Sequence, residues 1–395
     1  MTPDLPVAVV GAGDRAELGT HVAQAWPSAR VTAVADTTPA GRDRAAALFP
    51  GAAVFADHRD LLAGTGVRAA LVTTPDDTHA GIAVDLLRAG VAVYLEKPLA
   101  TTLADADRVL ATATATGTPL YVGHNLRHAD VVRTMKGIVD RGEIGEVKAV
   151  WVRHFVGHGG DYYFKDWHAD RRRTGTLLLQ KGSHDLDVVH HLAGGYTRRV
   201  VGMGDLVVYG AITDRRERAG EAVPDRFTAG TWPPAAQTGL NPVVDVEDLS
   251  MVLMGLDNGV QASYQQCHFT PDYWRNYTVI GTEGRLENFG DTAGGVVRVW
   301  DRRHEWTATG DREHPIGGVS SGHDDADLAT LAEFFAHVVE GSPTLVSPVA
   351  AREAVATGVL AARSLRSGSV PLTVPDPPDD VVRHFARAGA GRAAG

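Results

Sequence analysis

Two residues of this sequence, a lysine and a histidine, are well suited to proton transfer on a hydroxyl group. Lys97 follows an apolar run and precedes Pro98, which restricts the backbone of the turn. A lysine fixed at the end of a strand could hydrogen-bond a substrate hydroxyl and stabilise the negative charge that develops on its oxygen. His184 is predicted to open a helix, where its imidazole could accept the hydroxyl proton. The alternatives are a surface lysine paired with Glu96 and a buried structural histidine.

A glycine-rich segment near the N-terminus, Gly11-Ala12-Gly13-Asp14-Arg15-Ala16, has the spacing of a dinucleotide-binding fingerprint. It directly follows an apolar strand, and it is predicted to open a helix whose N-terminus faces the cofactor phosphates. Gly11 permits the tight turn and Gly13 lets the backbone approach a pyrophosphate, while the small Ala16 allows close packing. The alternative is a tight strand-to-helix turn that binds nothing.

Asp36 ends the second predicted strand and favours NAD over NADP. Its carboxylate could accept hydrogen bonds from the ribose hydroxyls of the adenosine and would repel a 2′-phosphate. A solvated loop carboxylate or a helix cap is the alternative. Further cofactor contacts are predicted where later strands end at the same edge of the sheet, at Thr73, Thr74, Pro75, His79, Glu96 and Lys97.

The elements that must position these residues alternate between short β-rich runs and alanine-rich helical stretches over the first ~120 residues. Such runs, apolar on both faces, are typical of a doubly wound parallel sheet of the Rossmann type. From Val147 onward the runs alternate apolar with polar residues, which indicates a large open mixed or antiparallel sheet with one covered face. The predicted fold class is α/β, with an α+β C-terminal domain. The predicted strands are 7–10, 31–35, 69–73, 91–95, 119–122, 148–155, 250–256, 260–266 and 277–281, and 131–139 is predicted as a helix.

This pattern predicts two domains and a tail. Residues 1–125 form an NAD-binding Rossmann domain, and residues 126–374 form an α+β domain for substrate binding and oligomerisation. Within the second domain, residues 210–243 are rich in charge, Pro and Gly and are expected to form an extended surface loop. Residues 375–395 are expected to be a flexible tail, because Pro, Ala, Gly and Arg leave little to bury.

The composition points to a small-molecule ligand. The chain has 395 residues, 44% hydrophobic and 22% charged, an ordinary globular mixture whose length favours two domains. A formal net charge of -10 argues against nucleic-acid binding, which requires a positive surface. The single cysteine, Cys267, excludes an intrachain disulfide. Neither a signal peptide nor a run of the ~18 apolar residues of a membrane span is evident, so a cytoplasmic location without membrane binding is expected.

The ordered set of motifs resembles that of the Gfo/Idh/MocA oxidoreductases, the superfamily of glucose-fructose oxidoreductase and inositol 2-dehydrogenase. The resemblance rests on the fingerprint, on Glu96-Lys97-Pro98 and on the segment Gln180-Lys181-Gly182-Ser183-His184-Asp185-Leu186-Asp187, with further matches at 122–127, 142–145 and 281–284. It implies NAD as cofactor, catalytic roles for Lys97 and His184, and an acidic substrate contact at Asp187. It also implies a homodimer or homotetramer formed through the C-terminal sheet.

This sequence departs from the family pattern at one position of the histidine segment. The aspartate that the resemblance places four positions before the histidine is replaced by Gln180, which can hydrogen-bond a hydroxyl but cannot carry a proton. Lys181 follows it and supplies an additional charge. The proton path of the family can therefore not be transferred as a whole.

Aromatic and polar residues around this segment are candidate sugar contacts, because aromatic faces stack on C–H groups while polar side chains bind hydroxyls. Ordinary packing is the alternative for each of them. Histidines are frequent in the same region, but their spacing fits no closed metal site, so no metal is predicted. The predicted substrate-binding residues are Asn125, Arg153, His154, Tyr163, Trp167, Gln180, Lys181 and Asp187.

Three functions are compatible with the sequence. The first is an NAD-dependent dehydrogenase that transfers hydride from the hydroxyl carbon of a sugar, polyol or cyclic alcohol to nicotinamide. The second is a redox-neutral glycosidase or epimerase-like enzyme that passes through a transient keto-sugar and returns the hydride to bound NAD. The third is a regulator that binds NAD without catalysis, which would be marked by loss of Lys97 or His184, and both are present.

Overall fold

The chain forms two β-sheets with helices packed against both. The computed structural model describes residues 4–218, 221, 223, 227–318 and 324–389. The strands of the first sheet are β1 (Leu5–Val10), β2 (Ala29–Ala35), β3 (Ala53–Phe55), β4 (Ala69–Val72), β5 (Ala92–Leu95) and β6 (Leu120–Val122). Those of the second are β7 (Val147–Val156), β8 (Thr197–Asp205), β9 (Leu249–Leu256), β10 (Gln261–Cys267), β11 (Tyr273–Gly281), β12 (Arg285–Phe289), β13 (Val296–Trp300), β14 (Arg312–Pro315) and β15 (Leu372–Thr373).

The helices connect and cover these strands. A 3-10 helix, Asp14–His21, follows β1 at the position where an α-helix is expected to open, and the short α1 continues it. The first half contains α1 (Val22–Ala25), α2 (Pro39–Leu48), α3 (His58–Gly64), α4 (His79–Arg88), α5 (Leu103–Thr116) and α6 (Asp130–Asp140). The second half contains α7 (Arg171–Thr174), α8 (Leu177–Gln180), α9 (Gly182–Ala193), α10 (Asp324–Glu340), α11 (Pro348–Arg366) and α12 (Asp379–Gly389).

The first sheet has the strand order β3-β2-β1-β4-β5-β6, and all of its pairs are parallel. β4 and β5 are buried along their whole length, because helices cover both faces of the sheet. The Rossmann-type parallel sheet expected from the sequence is therefore confirmed. The edge strand β3 escaped prediction because it has only three residues, two of them exposed, and so shows no apolar pattern.

The second sheet has nine strands in the order β14-β13-β12-β11-β7-β10-β9-β8-β15. β7 pairs parallel with β10 and antiparallel with β11, which makes the sheet mixed. Successive residues of β7 point to opposite faces, so Val150, Val152 and His154 are buried while Trp151 and Arg153 are exposed. The predicted mixed sheet with one covered face is confirmed.

Two C-terminal helices return to the first sheet and complete its core. Phe334 and Phe335 of α10 are fully buried with Tyr94 and Tyr121 on one face, where the ring centres of Tyr94 and Phe334 lie 5.7 Å apart. On the other face, α11 contributes Val355 to the core. A division of the chain at residue 125 does not capture this contribution, because residues close to the sheet in space are distant in sequence.

The tail expected after Val374 is structured over most of its length, so that prediction was wrong for these residues. Asp379–Gly389 forms α12, which packs against α5 and α11 and buries Val381 and Phe385. The two apolar residues stand four positions apart, on one face of the helix. The sequence analysis missed this helix because two apolar residues are a weak helical signal and a Pro-rich stretch precedes them. Residues 390–395 lie outside the described part of the chain.

The described part of the segment 210–243 contains only short structure. Its elements are the 3-10 turns Tyr209–Ala211, Ala229–Thr231 and Pro234–Ala236. The end of the segment is anchored, since Leu240 is buried and the Gln237 amide donates to Asp161 over 2.7 Å. Residues 219, 220, 222 and 224–226 lie outside the description.

Candidate functional site

The fingerprint turn closely approaches the end of β4. Gly11 has φ +96°, and a Cβ there would lie 2.7 Å from Thr74 Cγ2, so only glycine fits. Gly13, by contrast, has an extended backbone, and a Cβ on it would meet nothing within 4 Å. Bare backbone next to open space is what a pyrophosphate requires for close approach. The turn therefore fits a dinucleotide.

The carboxylate of Asp36 is fixed beside this turn. Its Oδ2 accepts the backbone N–H of Ala12 at 2.8 Å, and its Oδ1 accepts the backbone N–H and the hydroxyl of Thr38 at 2.8 and 2.7 Å. Gly41 packs against it so closely that a Cβ would lie 2.2 Å from the carboxyl group. The carboxylate stands at the end of β2, where a Rossmann fold receives the adenosine ribose.

The threonine and histidine motif after β4 supports the turns on either side of it. Thr73 Oγ1 donates to the carbonyl oxygen of Gly11 at 2.7 Å. The fully buried ring of His79 contacts the carbonyl oxygen of Pro98 through Nδ1 at 2.7 Å and that of Thr74 through Nε2 at 2.9 Å. His79, which was predicted as a cofactor contact, thus connects the loop after β4, which contains Thr74 and Pro75, with the turn that contains Lys97 and Pro98.

Arg15, within the fingerprint, joins three distant parts of the chain. Its Nε donates to Glu96 Oε1 at 2.9 Å, and its Nη1 donates to Asp327 Oδ2 of α10 at 2.7 Å. Asp327 also accepts the amide of Asn125 at 2.8 Å. We name Arg15, Glu96 and Asp327 the arginine bridge. Asp327 could not be predicted from the sequence, because 312 positions separate it from Arg15.

Lys97 follows β5, as predicted, and points toward the histidine segment. Its Nζ donates to the backbone carbonyl oxygen of Gln180 at 2.9 Å. Desolvation of the ammonium lowers the pKa of Lys97, although the charges of Asp76 and Glu96 act in the opposite direction. Asp76 was not predicted, and burial raises the pKa of its carboxyl group while Lys97 opposes that shift. Asp76 is thus buried and Lys97 partly buried at the end of the sheet, where the charge of each residue acts on the other.

The histidine segment brings three of the predicted residues together at the junction of α8 and α9. Gln180, Lys181 and His184 are all buried, and His184 stands in the first turn of α9. Its ring is perpendicular to that of His124, with 6.3 Å between the ring centres. The Lys181 ammonium lies 5.5 Å from the ring centre of Tyr163. Lys97 contacts the Gln180 carbonyl oxygen, four residues before His184 in the same segment.

Asp185, which sequence analysis did not single out, is the centre of a buried polar cluster. Its carboxylate accepts from Arg275 Nε at 3.1 Å, from the hydroxyls of Tyr264 and Tyr277 at 3.1 and 2.5 Å, and pairs with His154 Nδ1 at 2.9 Å. Burial lowers the pKa of His154 to about 3, and the neighbouring charges hold the pKa of Asp185 well below its usual range. Eleven of the twelve residues of α9 are buried, so its polar side chains need partners inside the protein.

Two predicted substrate contacts are engaged elsewhere. The side chain of Arg153 lies on the exposed face of β7 and donates to Asn276, because neighbouring residues of a strand point to opposite faces. Asp187 is buried, and both of its oxygens accept from Arg127 at 2.7 Å. This ion pair holds the pKa of Asp187 at about 2. In this structure both side chains bind other residues of the chain, and their contact with a substrate stays a prediction.

The aromatic segment before α7 faces the fingerprint. The hydroxyl of Tyr162 donates to Asp14 Oδ2 at 3.2 Å, so the two halves of the fold touch here. Trp167 stacks on His168 with 3.8 Å between ring centres, and His168 in turn lies 5.1 Å from Tyr163. These rings provide the apolar faces that the sequence predicts for a sugar site.

Two sequence profiles of one protein family together match most of the chain. The profile of the Gfo/Idh/MocA oxidoreductases with an NAD-binding Rossmann fold matches residues 5–124, and that of their C-terminal alpha/beta domain matches residues 136–374. This chain belongs to the Gfo/Idh/MocA family. In this family member, residues 5–124 are the NAD-binding Rossmann domain, and the second sheet is part of the family's C-terminal domain.

Curated relatives of this Gfo/Idh/MocA protein match it over part of their length. The inositol 2-dehydrogenase of Burkholderia multivorans is 35% identical over 168 residues, which are 42% of this chain and 47% of that protein. The 1-carboxy-3-chloro-3,4-dihydroxycyclo hexa-1,5-diene dehydrogenase of Comamonas testosteroni is 32% identical over 169 residues, 42% of each chain. The chain thus spans less than half the length of these two relatives.

Solved structures share the fold over nearly the whole chain. A levoglucosan dehydrogenase in complex with NADH and levoglucosan has a TM-score of 0.77 at 18% identity, and the match covers 94% of this chain and 100% of that one. Among the described residues, no helix combines the length and the apolar character that a membrane crossing requires. In the same part of the chain, no three His, Cys, Asp or Glu side chains gather in a way that could hold a metal ion.

Proposed function

We propose that this protein is an NAD-dependent dehydrogenase that oxidises a hydroxyl group of a sugar, polyol or related cyclic alcohol. The observation that carries the proposal is the hydrogen bond from Lys97 to the carbonyl oxygen of Gln180, four residues before His184. It joins the end of the nucleotide-binding sheet to the segment that holds the candidate base. A hydroxyl bound between the two would have a cation and an imidazole at hand.

Each residue has a distinct part in this reaction. NAD, when bound, supplies the hydride acceptor at its nicotinamide ring. Lys97 donates a hydrogen bond to the substrate oxygen and stabilises the negative charge that grows there as the proton leaves. His184 accepts the hydroxyl proton. His184 is buried and Lys97 is partly buried, which limits the access of water to both groups and strengthens these interactions.

Preference for NAD over NADP is also part of the proposal, and Asp36 supports it. Its carboxylate lies beside the fingerprint and already accepts one backbone N–H of that turn. Ribose hydroxyls can donate to such an oxygen, whereas a 2′-phosphate would place about two negative charges next to it.

The substrate class is supported by what the relatives act on. Two curated relatives are named for inositol and for 1-carboxy-3-chloro-3,4-dihydroxycyclohexa-1,5-diene, both of which are rings that carry hydroxyl groups. The aromatic rings of Tyr163, Trp167 and His168 would stack on the C–H faces of such a ring.

A second candidate function follows from Gln180. Its side-chain oxygen is buried and accepts no hydrogen bond from the described residues. The site thus departs from the arrangement of the family, and a redox-neutral glycosidase or epimerase-like reaction that returns the hydride within one turnover is the second candidate. Both functions use Lys97 and His184 in the same first step.

A homodimer or homotetramer formed through the second sheet is the third part of the proposal. The outer face of this sheet carries large exposed apolar side chains, with Trp151 54%, Met203 59% and Leu253 64% exposed. Such a patch on a folded surface is typical of a subunit interface. Light scattering should give a mass of two or four chains for the native protein. Leu253→Lys should shift that mass toward one chain, and a monomeric native protein would contradict the assignment.

The decisive experiment is a substrate screen followed by a test of the base. Purified protein with NAD is offered sugars, polyols and inositols, and NADH is followed by its near-ultraviolet absorbance. Net NADH formation, lost by at least ~10²-fold in His184→Ala, would support the dehydrogenase. Cleavage of a glycoside or inversion of a hydroxyl carbon without net NADH would favour the second function. A His184→Ala variant with undiminished turnover would contradict both.

A further inference from the structure

Two buried cations beside the histidine segment converge on one neutral oxygen. Lys181 is 6% exposed and Arg275 is 4% exposed. The phenolic oxygen of Tyr273 accepts from Arg275 Nη1 at 2.8 Å and from Lys181 Nζ at 3.4 Å. Buried cations are normally paired with anions, because a neutral acceptor compensates little of the cost of removing a charge from water. The phenol of Tyr273 is therefore a weak partner, and of the two cations only Arg275 also has a carboxylate among the described residues, that of Asp185.

Lys181 has no acidic partner of its own. In the described part of the chain it forms no ion pair, and its ammonium lies 5.5 and 5.4 Å from the ring centres of Tyr163 and Tyr273. Burial lowers the pKa of Lys181 and repulsion by Arg275 adds to the effect, whereas the hydroxyl of Tyr163 and the charge of Asp185 oppose it only in part. An anion bound next to the ammonium group of Lys181 would offset much of the free-energy cost of burying its charge.

Arg275 is paired along one edge of its guanidinium group. Nε donates to Asp185 at 3.1 Å, while Asp291 stands 3.9 Å from Nη1, at the outer limit of an ion pair. Nη2 is buried and has no hydrogen-bond partner among the described residues. An unpaired buried donor of this kind is costly unless a ligand accepts its hydrogen bond. The group is thus poised to receive an oxygen from outside the chain.

These cations lie next to the position proposed for the reacting hydroxyl. Lys97 donates to the carbonyl oxygen of Gln180, and Lys181 is the next residue along the chain. The charge of Lys181 also lowers the pKa of Lys97. A substrate bound at Lys97 would therefore lie beside the backbone segment that carries Lys181.

We propose that Lys181 and Arg275 bind a carboxylate group of the substrate, so that the enzyme oxidises an acidic sugar or a cyclic hydroxy acid. This inference rests on the dehydrogenase function proposed above and narrows its substrate class. The two oxygens of a carboxylate accept from an ammonium and a guanidinium at once, which one phenol oxygen does poorly. A phosphate group offers related chemistry, and the experiment separates the two.

The test compares matched pairs of ligands that differ in one carboxylate. Calorimetry on the protein saturated with NADH measures the Kd of D-glucose and D-glucuronate, of D-galactose and D-galacturonate, and of D-glucose 6-phosphate. At least one carboxylate should bind about 10- to 100-fold more tightly than its neutral counterpart, the scale of a hydrogen bond to a charged group. Lys181→Gln should reduce that preference by a similar factor, whereas Lys181→Arg should retain most of it. Lys136→Gln, which removes a lysine of α6, is the matched control and should keep the preference.

Three results would overturn the proposal. They are equal or tighter binding of the neutral member in every pair, a carboxylate preference that persists in Lys181→Gln, and tighter binding of D-glucose 6-phosphate than of both uronates. Melting curves of each variant verify that it is folded. Because binding is measured without turnover, failure of the dehydrogenase function appears separately, as absence of NADH formation from any hydroxyl compound. Oxidation of neutral sugars with no carboxylate preference would leave that function standing and refute this inference alone.

Discussion

The ammonium of Lys97 donates a hydrogen bond of 2.9 Å to the backbone carbonyl oxygen of Gln180. This contact joins the turn after β5 to the end of α8, so the nucleotide-binding sheet meets the histidine segment at one side chain. Because the acceptor is a backbone group, the contact does not depend on which side chain occupies position 180. The site keeps its lysine in place even though it has lost the aspartate of the family pattern.

Lys97→Ala should lower kcat/KM for the identified substrate by ~10²-fold or more, the scale of a positioned group that stabilises an oxyanion. The Kd of NADH should change far less, since the fingerprint turn holds the dinucleotide through backbone groups. Steady-state kinetics and fluorescence titration with NADH measure the two effects. A variant that loses NADH affinity and turnover by the same factor would assign Lys97 to cofactor binding instead.

Gln180→Asp should impair turnover, by about 10-fold or more, rather than restore a missing proton carrier. The Gln180 side-chain oxygen is buried without a hydrogen-bond donor among the described residues, so a carboxylate there would gain no hydrogen bond and would compete with a substrate anion for the neighbouring Lys181. Gln180→Asn, which stays neutral, is the control for the change in size and should be milder. A gain of turnover in Gln180→Asp would mean that the site is an incomplete version of the family mechanism.

Asp36→Ser should reduce the ratio of kcat/KM with NAD to kcat/KM with NADP by about 10-fold or more, because it removes the negative charge that a 2′-phosphate would meet. Asp57→Ser removes an exposed helix-capping aspartate at the start of α3 and serves as the matched control. Kinetics with both cofactors give the ratio. If the native protein already used NADP better than NAD, the role assigned to Asp36 would be wrong.

Acid should destabilise the protein through its buried histidines. Burial lowers the pKa of His154 and of His190 to about 3, whereas both titrate near about 6.5 in an unfolded chain. Between these values the unfolded state binds more protons than the folded state, so stability is complete above about pH 7 and declines as the pH falls toward about 4. Melting temperatures across this range should fall, and less steeply in His190→Gln. His304→Gln, at an exposed position, should not flatten the decline; a pH-independent melting temperature would contradict the prediction.

The sequence predicts most of the fold because the strands that position the site have strong local patterns. The fully buried strands β4 and β5 are recognisable as uninterrupted apolar runs, and β7 as an alternating one. The short edge strand β3 and the helix α12 have too few apolar residues for such a signal. The glycine spacing predicts the nucleotide-binding turn for a similar local reason. Gly11 has a positive φ and no room for a Cβ, so this position requires glycine.

The sequence does not predict which residue pairs with each buried charged side chain. Asp187 and Asn125 have suitable side chains for a substrate, yet Arg127 and Asp327 engage them. Asp185 is bound by residues that lie about 80 to 90 positions away, as with Tyr264 and Arg275. Such pairings depend on the packing of the whole chain, so local patterns identify the candidates but not their assignment.

The arginine bridge has a consequence for the order in which the molecule is made. Arg15 belongs to the first turn that emerges during synthesis, but its partner Asp327 follows 312 residues later, on a helix whose Phe334 and Phe335 also fill the core of the first sheet. A nascent chain therefore carries an unfinished nucleotide pocket until translation is nearly over. We therefore expect NAD binding to require the C-terminal helices. A chain that terminates before them should not compete with the complete enzyme for the cofactor.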